Sequence, residues 1–176
     1  MPGGLLVMYS GQYYLPIVMQ ALRKHLTYRW TMASVWNSDA TLIHPLDLTS
    51  KWKPILIYSK GDWRKRGRWL DLLHCDSKEK DWHSWQQPLR ETESLIRFFS
   101  RPGDLVVDPC GGSFTTAVAC NNLGRKCIAC DIDEECVTMG HERLALEQTL
   151  CRANPTTPIL RPGKESERHR ETPHER

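Results

Sequence analysis

The segment from Asp104 to Asp133, DLVVDPCGGSFTTAVACNNLGRKCIACDID, constrains this chain more than any other. Leu105, Val106 and Val107 form a short apolar run that suits a buried strand, and the run stops at an acid, Asp108. Pro109 to Ser113 (PCGGS) is a glycine-rich turn. Thr115 to Leu123 reads as the helix that this turn opens, closed by Gly124 at a C-cap position. Lys126 to Ile132 reads as a second strand that runs into Asp131 and Asp133. Strand, turn, helix and strand in this order, with a further helix after them, imply a parallel sheet with helices packed on it. Glycine lets a backbone approach a bound molecule closely, and a helix N-terminus offers unpaired N–H groups. An acid at the end of the next strand, about 20 residues on, is where doubly wound folds hold ribose hydroxyls.

Taken alone, this pattern fits a nicotinamide or flavin site as well as a methyltransferase, or a turn that only joins a strand to a helix. The dinucleotide fingerprint wants G-x-G-x-x-G, which GGSFTT lacks, and the Asp108–Pro109 pair is foreign to it.

The flanking sequence alternates in the same way. Leu5 to Ser10 (LLVMYS) follows a PGG turn and suits a buried strand. Leu15, Val18, Met19, Leu22 and Leu26 recur at helical spacing, with Pro16 in the first turn. Tyr28 to Trp36 and Lys53 to Ser59 read as strands. Between Lys60 and Gln87 periodicity is lost among charges, glycines and four tryptophans, which marks a long loop or inserted element. Pro88 suits the first position of a helix striped by Leu89, Leu95, Ile96 and Phe99, and RPGD from Arg101 ends it. Glu134 to Leu150 reads as the last helix.

At 176 residues with 40% hydrophobic content, the chain can bury one real core and not two large ones. The expected α/β domain spans residues 1–151, with 60–87 as the inserted loop. Residues 152–176 hold four prolines and ten charges around Ile159 and Leu160, too little apolar surface to offset their ordering entropy, so a disordered tail is expected. The apolar run Leu5 to Tyr9 is far short of the roughly 20 residues of a membrane span, and no signal-peptide pattern opens the chain. Seven cysteines without scaffold spacing point to a reducing, cytoplasmic setting. The net charge of +3 conceals a basic stretch, Lys51 to Trp69, with seven Lys/Arg against Asp62. One basic segment on an otherwise acidic body is a polyanion contact in outline.

With these residues in view, the chain resembles a known family. DPCGGSFTTA resembles the DPFxGSGTT cofactor motif of S-adenosylmethionine-dependent DNA methyltransferases that modify exocyclic amines of adenine or cytosine. WQQPLRETESLIRFFSRPGDLVVDP and LGRKCIACDIDEECVTMGHERL resemble the runs that flank that motif. LLVMYSGQYYLPIVMQALRKHLTYRW and KPILIYSKGDW resemble earlier strands of the permuted members. The resemblance implies a Rossmann-like methyltransferase sheet and S-adenosylmethionine as cofactor. Asp108, Pro109, Cys110, Gly111, Gly112, Ser113 and Thr115 would line the methionine side, Asp131 would hold the ribose, and Gln86 to Pro88 would stand nearby. Duplex DNA is the implied partner, in a bacterial or phage-type modification enzyme. Lys60, Arg64, Lys65, Arg66 and Arg68 fall where the family places target recognition, and they are expected to act through phosphates.

Two departures stand out. Phe114 replaces the second glycine of GSG, where bulk is expected to crowd the cofactor or strain the turn. The family's catalytic D/N-P-P-aromatic motif is absent: Asp108–Pro109 belongs to the cofactor turn, and Asn154–Pro155 lacks what should follow. In the resembled fold the strand bearing that motif lies between the Leu105–Asp108 and Leu5–Ser10 strands. The expectation is therefore a sheet incomplete at its N-terminal side, split into two halves with unpaired inner edges. Such a chain would be marginally folded, catalytically silent alone and prone to self-association through those edges. The alternative is a non-catalytic remnant that binds nucleic acid; a small-molecule methyltransferase is disfavoured by the basic insert and the motif order.

No metal site is expected. Cys127 and Cys130 lie three apart on a strand, facing opposite sides, and read as small buried hydrophobes. His74, Cys75 and His83 lie in the irregular segment without ligand spacing. Trp82 and Trp85 would pack on the cofactor helix or on an adenine ring, and the residues alone do not separate these.

Overall fold

The computed structural model describes residues 3–36, 41–43, 46–63, 67–75, 82 and 86–153. In order these form β1 (Leu5–Tyr9), α1 (Leu15–Arg23), β2 (Thr27–Trp36), β3 (Thr41–Ile43), β4 (Leu48–Ser50), β5 (Trp52–Ser59), β6 (Leu72–Cys75), α2 (Leu89–Phe99), β7 (Leu105–Asp108), α3 (Thr115–Leu123), β8 (Lys126–Ala129) and α4 (Glu134–Ala153). The tail beyond 153, Arg64 to Arg66, His83 and Trp85 lie outside the described residues.

Two cores, joined by one helix, organise these elements. Strands β1, β5, β2 and β6 form a four-stranded sheet in that order, and β7 and β8 form a separate parallel pair. β3 and β4 make a small hairpin between β2 and β5. On one face of the larger sheet, Met32, Ile55, Ile57 and Leu73 bury against Leu95 of α2. The neighbouring Ile96 points the other way round the helix, into a second cluster with Ala119, Cys120, Val106 and Cys127. One helix thus pins both sheets, because adjacent positions 100° apart on a helix can serve two cores.

The strand directions define two ends. β1 and β2 both run antiparallel to β5, and β6 runs parallel to β2, so β1, β2 and β6 point the same way. The first turn of α2 reaches their carboxyl ends, where the Cys75 thiol donates a hydrogen bond to Glu91 Oε2 at 2.7 Å. Its last turn lies at the opposite end, where Phe99 meets Trp69 and the Ser100 carbonyl accepts from Arg125, just ahead of β8. β7 therefore sets out from that same end and finishes at Asp108 beside the carboxyl ends of β1, β2 and β6.

Several expectations need correction. The larger sheet is mixed, not parallel, because β5 returns antiparallel between β1 and β2. The 60–87 region holds a strand, β6; four residues are too few to show a period, and only pairing with Ala33 to Trp36 reveals it. β8 stops at Ala129 rather than Ile132, since Cys130 to Asp133 peel away to bond the glycine-rich turn. Pro88 is the residue before α2, with extended dihedrals, not its first residue. α1 ends at Arg23, short of Leu26, and α4 runs on to Ala153, past the expected boundary at 151. The two-sheet division agrees with the sequence reading: among the described residues β1 and β7 each keep one edge unpaired.

Candidate cofactor site

The site is built where β7 and β8 end. The Cys130 amide donates to the Asp108 carbonyl (3.0 Å), and the Gly111 amide donates to the Cys130 carbonyl (2.9 Å). Asp108 Oδ1 accepts from the Cys110 amide at 3.1 Å, a short-range turn that holds the carboxylate at the strand end. Asp131 bridges the two loops, with Oδ2 accepting from the Gly112 amide (2.8 Å) and Oδ1 from the Asp133 amide (3.1 Å). Asp133 in turn caps α4 by accepting from the Glu135 amide at 2.9 Å. Gly112 needs its φ of +51°, and a side chain there would meet open space, so the demand is conformational.

Phe114 adopts a left-handed conformation, φ 55°, directly before α3. A non-glycine residue held so costs of order 1 kcal/mol, so the surroundings must secure it. They do. Its ring is only 4% exposed, edge-on to His141. A Cβ on Gly111 would stand 2.8 Å from the ring, and one on Gly140 of α4 only 2.3 Å. Phe114 thus fills a notch made by two glycines beneath the turn. The strain that the sequence foresaw is present, and the ring packs against α4.

Ser113 and Thr115 also face inward. The buried Arg143 of α4 donates through one terminal nitrogen to the Ser113 carbonyl (3.1 Å), Ser113 Oγ (3.2 Å) and Thr115 Oγ1 (2.8 Å). A charged donor spread over three acceptors fixes the turn from below. Of the candidate cofactor residues, Asp108, Gly111, Gly112 and Asp131 come together around the turn, Pro109 and Cys110 lie exposed at its tip, and the two hydroxyls support it. A cleft of about 590 Å³ opens along α4, lined by Trp82, Glu134, Glu135, Thr138, Met139 and Glu142. Trp82 therefore stands opposite α4, and its amide donates to Gln86 Oε1 at 3.2 Å.

Lys60 and Arg68 are exposed and stand at the other end. Lys60 follows β5, and its backbone bonds Gly3 and Gly4 where β1 begins. Between them, Trp69 packs on Phe99 and Trp63 on Trp69, so these rings belong to the core margin. Cys127 lies in the second core, where its partner is Cys120; their hydrogen bond raises the Cys120 thiol and lowers that of Cys127. Cys130 is exposed outside it.

Sequence reasoning missed Arg143 and the cluster around Glu91. Glu91 is 5% exposed at the carboxyl ends of β1 and β6. Burial, with Glu91 second, pushes the Cys75 thiol up to about 12 and the Tyr9 phenol well above its usual value. A signal exists: Glu91 and Thr92 precede Leu95 and Ile96 by four, so they occupy the buried stripe. Arg143 has the matching signal, set three residues after Gly140 on the same face of α4.

Residues 1–142 match the family model described as DNA methylase, of the N6/N4 methyltransferase kind. The DNA adenine methyltransferase YhdJ of Escherichia coli is 42% identical over 62 residues, which are 35% of this chain and 21% of that protein. The type II methyltransferase M.HpaI of Haemophilus parainfluenzae is 37% identical over 75 residues, 43% of this chain and 24% of that one. The chain thus spans about a quarter or less of these relatives' length. Among solved structures, the M1.HpyAVI–SAM complex superposes with a TM-score of 0.69 at 23% identity, covering 82% of this chain and 76% of that one, which is a likeness of fold. With four-fifths of its length matched by the family model, the chain belongs to the N6/N4 DNA methylase family.

Proposed function

We propose that this chain forms the cofactor-binding part of an enzyme that methylates the exocyclic amine of adenine or cytosine in DNA, with S-adenosylmethionine as donor. One observation carries the reading. Asp108 ends β7 and Asp131 lies two residues past the end of the parallel β8, and the two carboxylates flank a glycine turn whose one bulky residue is packed away beneath it. S-adenosylmethionine supplies an electrophilic methyl carbon when bound. Asp131 would accept the ribose hydroxyls from its place at the junction of the two loops, where its carboxylate is already oriented by the Gly112 and Asp133 amides. Asp108 to Ser113, with Thr115, would line the methionine side, and Arg143 would hold that turn in place. These residues orient and bind; none abstracts a proton.

The target amine needs its own polar acceptor beside the methyl carbon. A D/N-P-P-aromatic loop would supply it from a strand lying between β1 and β7, and the unpaired edges of those two strands support that placement. Lys60, Arg64, Lys65, Arg66 and Arg68 would contact phosphates, giving binding that falls steeply with salt. The setting would be a modification enzyme of the restriction type, acting on duplex DNA.

Calorimetry of the 1–176 chain with S-adenosylmethionine tests this. Saturable binding, weakened about tenfold or more by Asp131→Asn, is expected, and absence of heat would leave only a non-catalytic remnant. Methyl transfer to DNA by the chain alone is expected to be undetectable; robust turnover would overturn the need for an added loop.

A further inference from the structure

Of the proposed DNA contacts, Lys60 and Arg68 stand at the opposite end of the strands from the glycine-rich turn. The carboxyl ends of β1 and β2 carry a different surface. Tyr13 and Tyr14 follow β1 and are 66% and 61% exposed, edge-on to each other at 5.1 Å. The adjoining Gln12 ties this loop to the start of β5. Its Nε2 donates to the Trp52 carbonyl (3.3 Å), and its Oε1 accepts from Ser50 Oγ (2.9 Å). Trp52 is 40% exposed beside them, next to the exposed Lys51. The Lys53 ammonium sits 4.5 Å over the Trp36 ring, which ends β2. Three exposed aromatic side chains and two lysines thus share the end at which Asp108 and Asp131 stand.

We propose that Tyr13, Tyr14 and Trp52, with Lys51, form the surface that holds the unstacked target nucleotide and its neighbours in DNA. This rests on the reading of the chain as part of a DNA methyltransferase and names the substrate-contacting face of that site. The chemistry favours nucleic acid. Aromatic faces exposed beside a lysine stack bases that have left the helix, whereas a paired duplex buries its bases and offers them nothing. The rings need no rearrangement to be reached. Gln12 and Ser50 tie the loop after β1 to the start of β5, so the segments that carry these rings are held together.

The test uses the 1–176 chain and two fluorescein-labelled duplexes, one fully paired and one with a single adenine opposite an abasic site. Tyr13→Ala/Tyr14→Ala and Trp52→Ala are expected to raise Kd for the abasic duplex about tenfold and to leave the paired duplex within twofold. Lys60→Glu/Arg68→Glu is expected to weaken both duplexes alike. Equal affinity of the ring variants and wild type for the abasic duplex would overturn the proposal, as would equal loss on both duplexes. Calorimetry with S-adenosylmethionine keeps the two readings apart. If the wild type binds the cofactor while the ring variants keep full DNA affinity, this surface is wrong and the cofactor site stands. Failure of the wild type to bind either duplex overturns the surface as well. The substituted rings are largely exposed, so unchanged melting of the variants is expected and checks the fold.

Discussion

The four-stranded sheet and the β7–β8 pair are stabilised in different ways. In the first, Met32, Ile55, Leu56, Ile57 and Tyr58 are fully buried, so both faces of β5 are covered. In the second, only one face is: Val106 and Cys127 bury toward α2 and α3, while Val107 remains 59% exposed, and Leu105 and Ile128 share its open face. The half that carries the candidate chemistry is therefore the less buried one. It relies instead on directed bonds, with Asp131 across the two loops and Arg143 beneath the turn. Hydrophobic burial tolerates small shifts of position, whereas a nucleoside cradle needs fixed distances, and hydrogen bonds supply those.

The comparison can be broken at several points. Ile57→Ala should cost the most, about 3 kcal/mol, by opening a cavity in the dry core, and a denaturant melt would show it. Gly140→Val should cost about 2 kcal/mol and act locally, because the new side chain meets the Phe114 ring; Phe114→Ala in the same chain should recover much of it. Hydrogen exchange would place that loss in α3, α4 and the turn while β5 stays protected. Arg143→Met should weaken the turn by a comparable or smaller amount, leaving Ser113 and Thr115 without their buried donor. Val107→Ser should change stability by less than about 0.5 kcal/mol, since most of that side chain is already in water. A large loss there would mean that the open face is covered in solution.

A pH series sharpens the contrast from the other side. Burial raises the Cys75 thiol from 9.0 to about 12, so the folded chain holds that proton more tightly than the unfolded one. The contribution is fully present below about pH 9 and is lost as pH rises toward 12. Cys75→Ala should flatten this part of the stability profile. The exposed Cys110 sits outside this argument.

Much of this was legible beforehand, for identifiable reasons. β1, β5 and β7 announce themselves as short apolar runs and α1 and α2 by apolar positions at helical spacing, while α3 is bracketed by the glycine turn and by Gly124, which adopts the left-handed C-cap with the Arg125 amide reaching the Cys120 carbonyl. The acids that flank the glycine turn were legible because strand ends and turns follow local rules. β6 was not, since its strand character exists only through pairing with β2. The fate of Phe114 was not either: sequence shows an aromatic where hydrogen would be easiest, and nothing local reveals that Gly140, 26 positions on, makes room for it. The basic segment carries a related lesson: its charge is legible in the chain, while the end of the sheet that Lys60 and Arg68 occupy is a property of topology.

By itself, then, the order of residues determined the strand–turn–helix–strand unit, its two acids and the family to which it belongs. Those depend on interactions within a few turns of chain and on periodicity. Only tertiary structure decided that Arg143 and Gly140 shape the turn from a distant helix, that Glu91 and Cys75 share a buried site, and that exposed rings rather than Lys60 stand at the carboxyl ends of β1 and β2. Each of these is a contact between segments far apart in sequence, and packing alone brings them into reach.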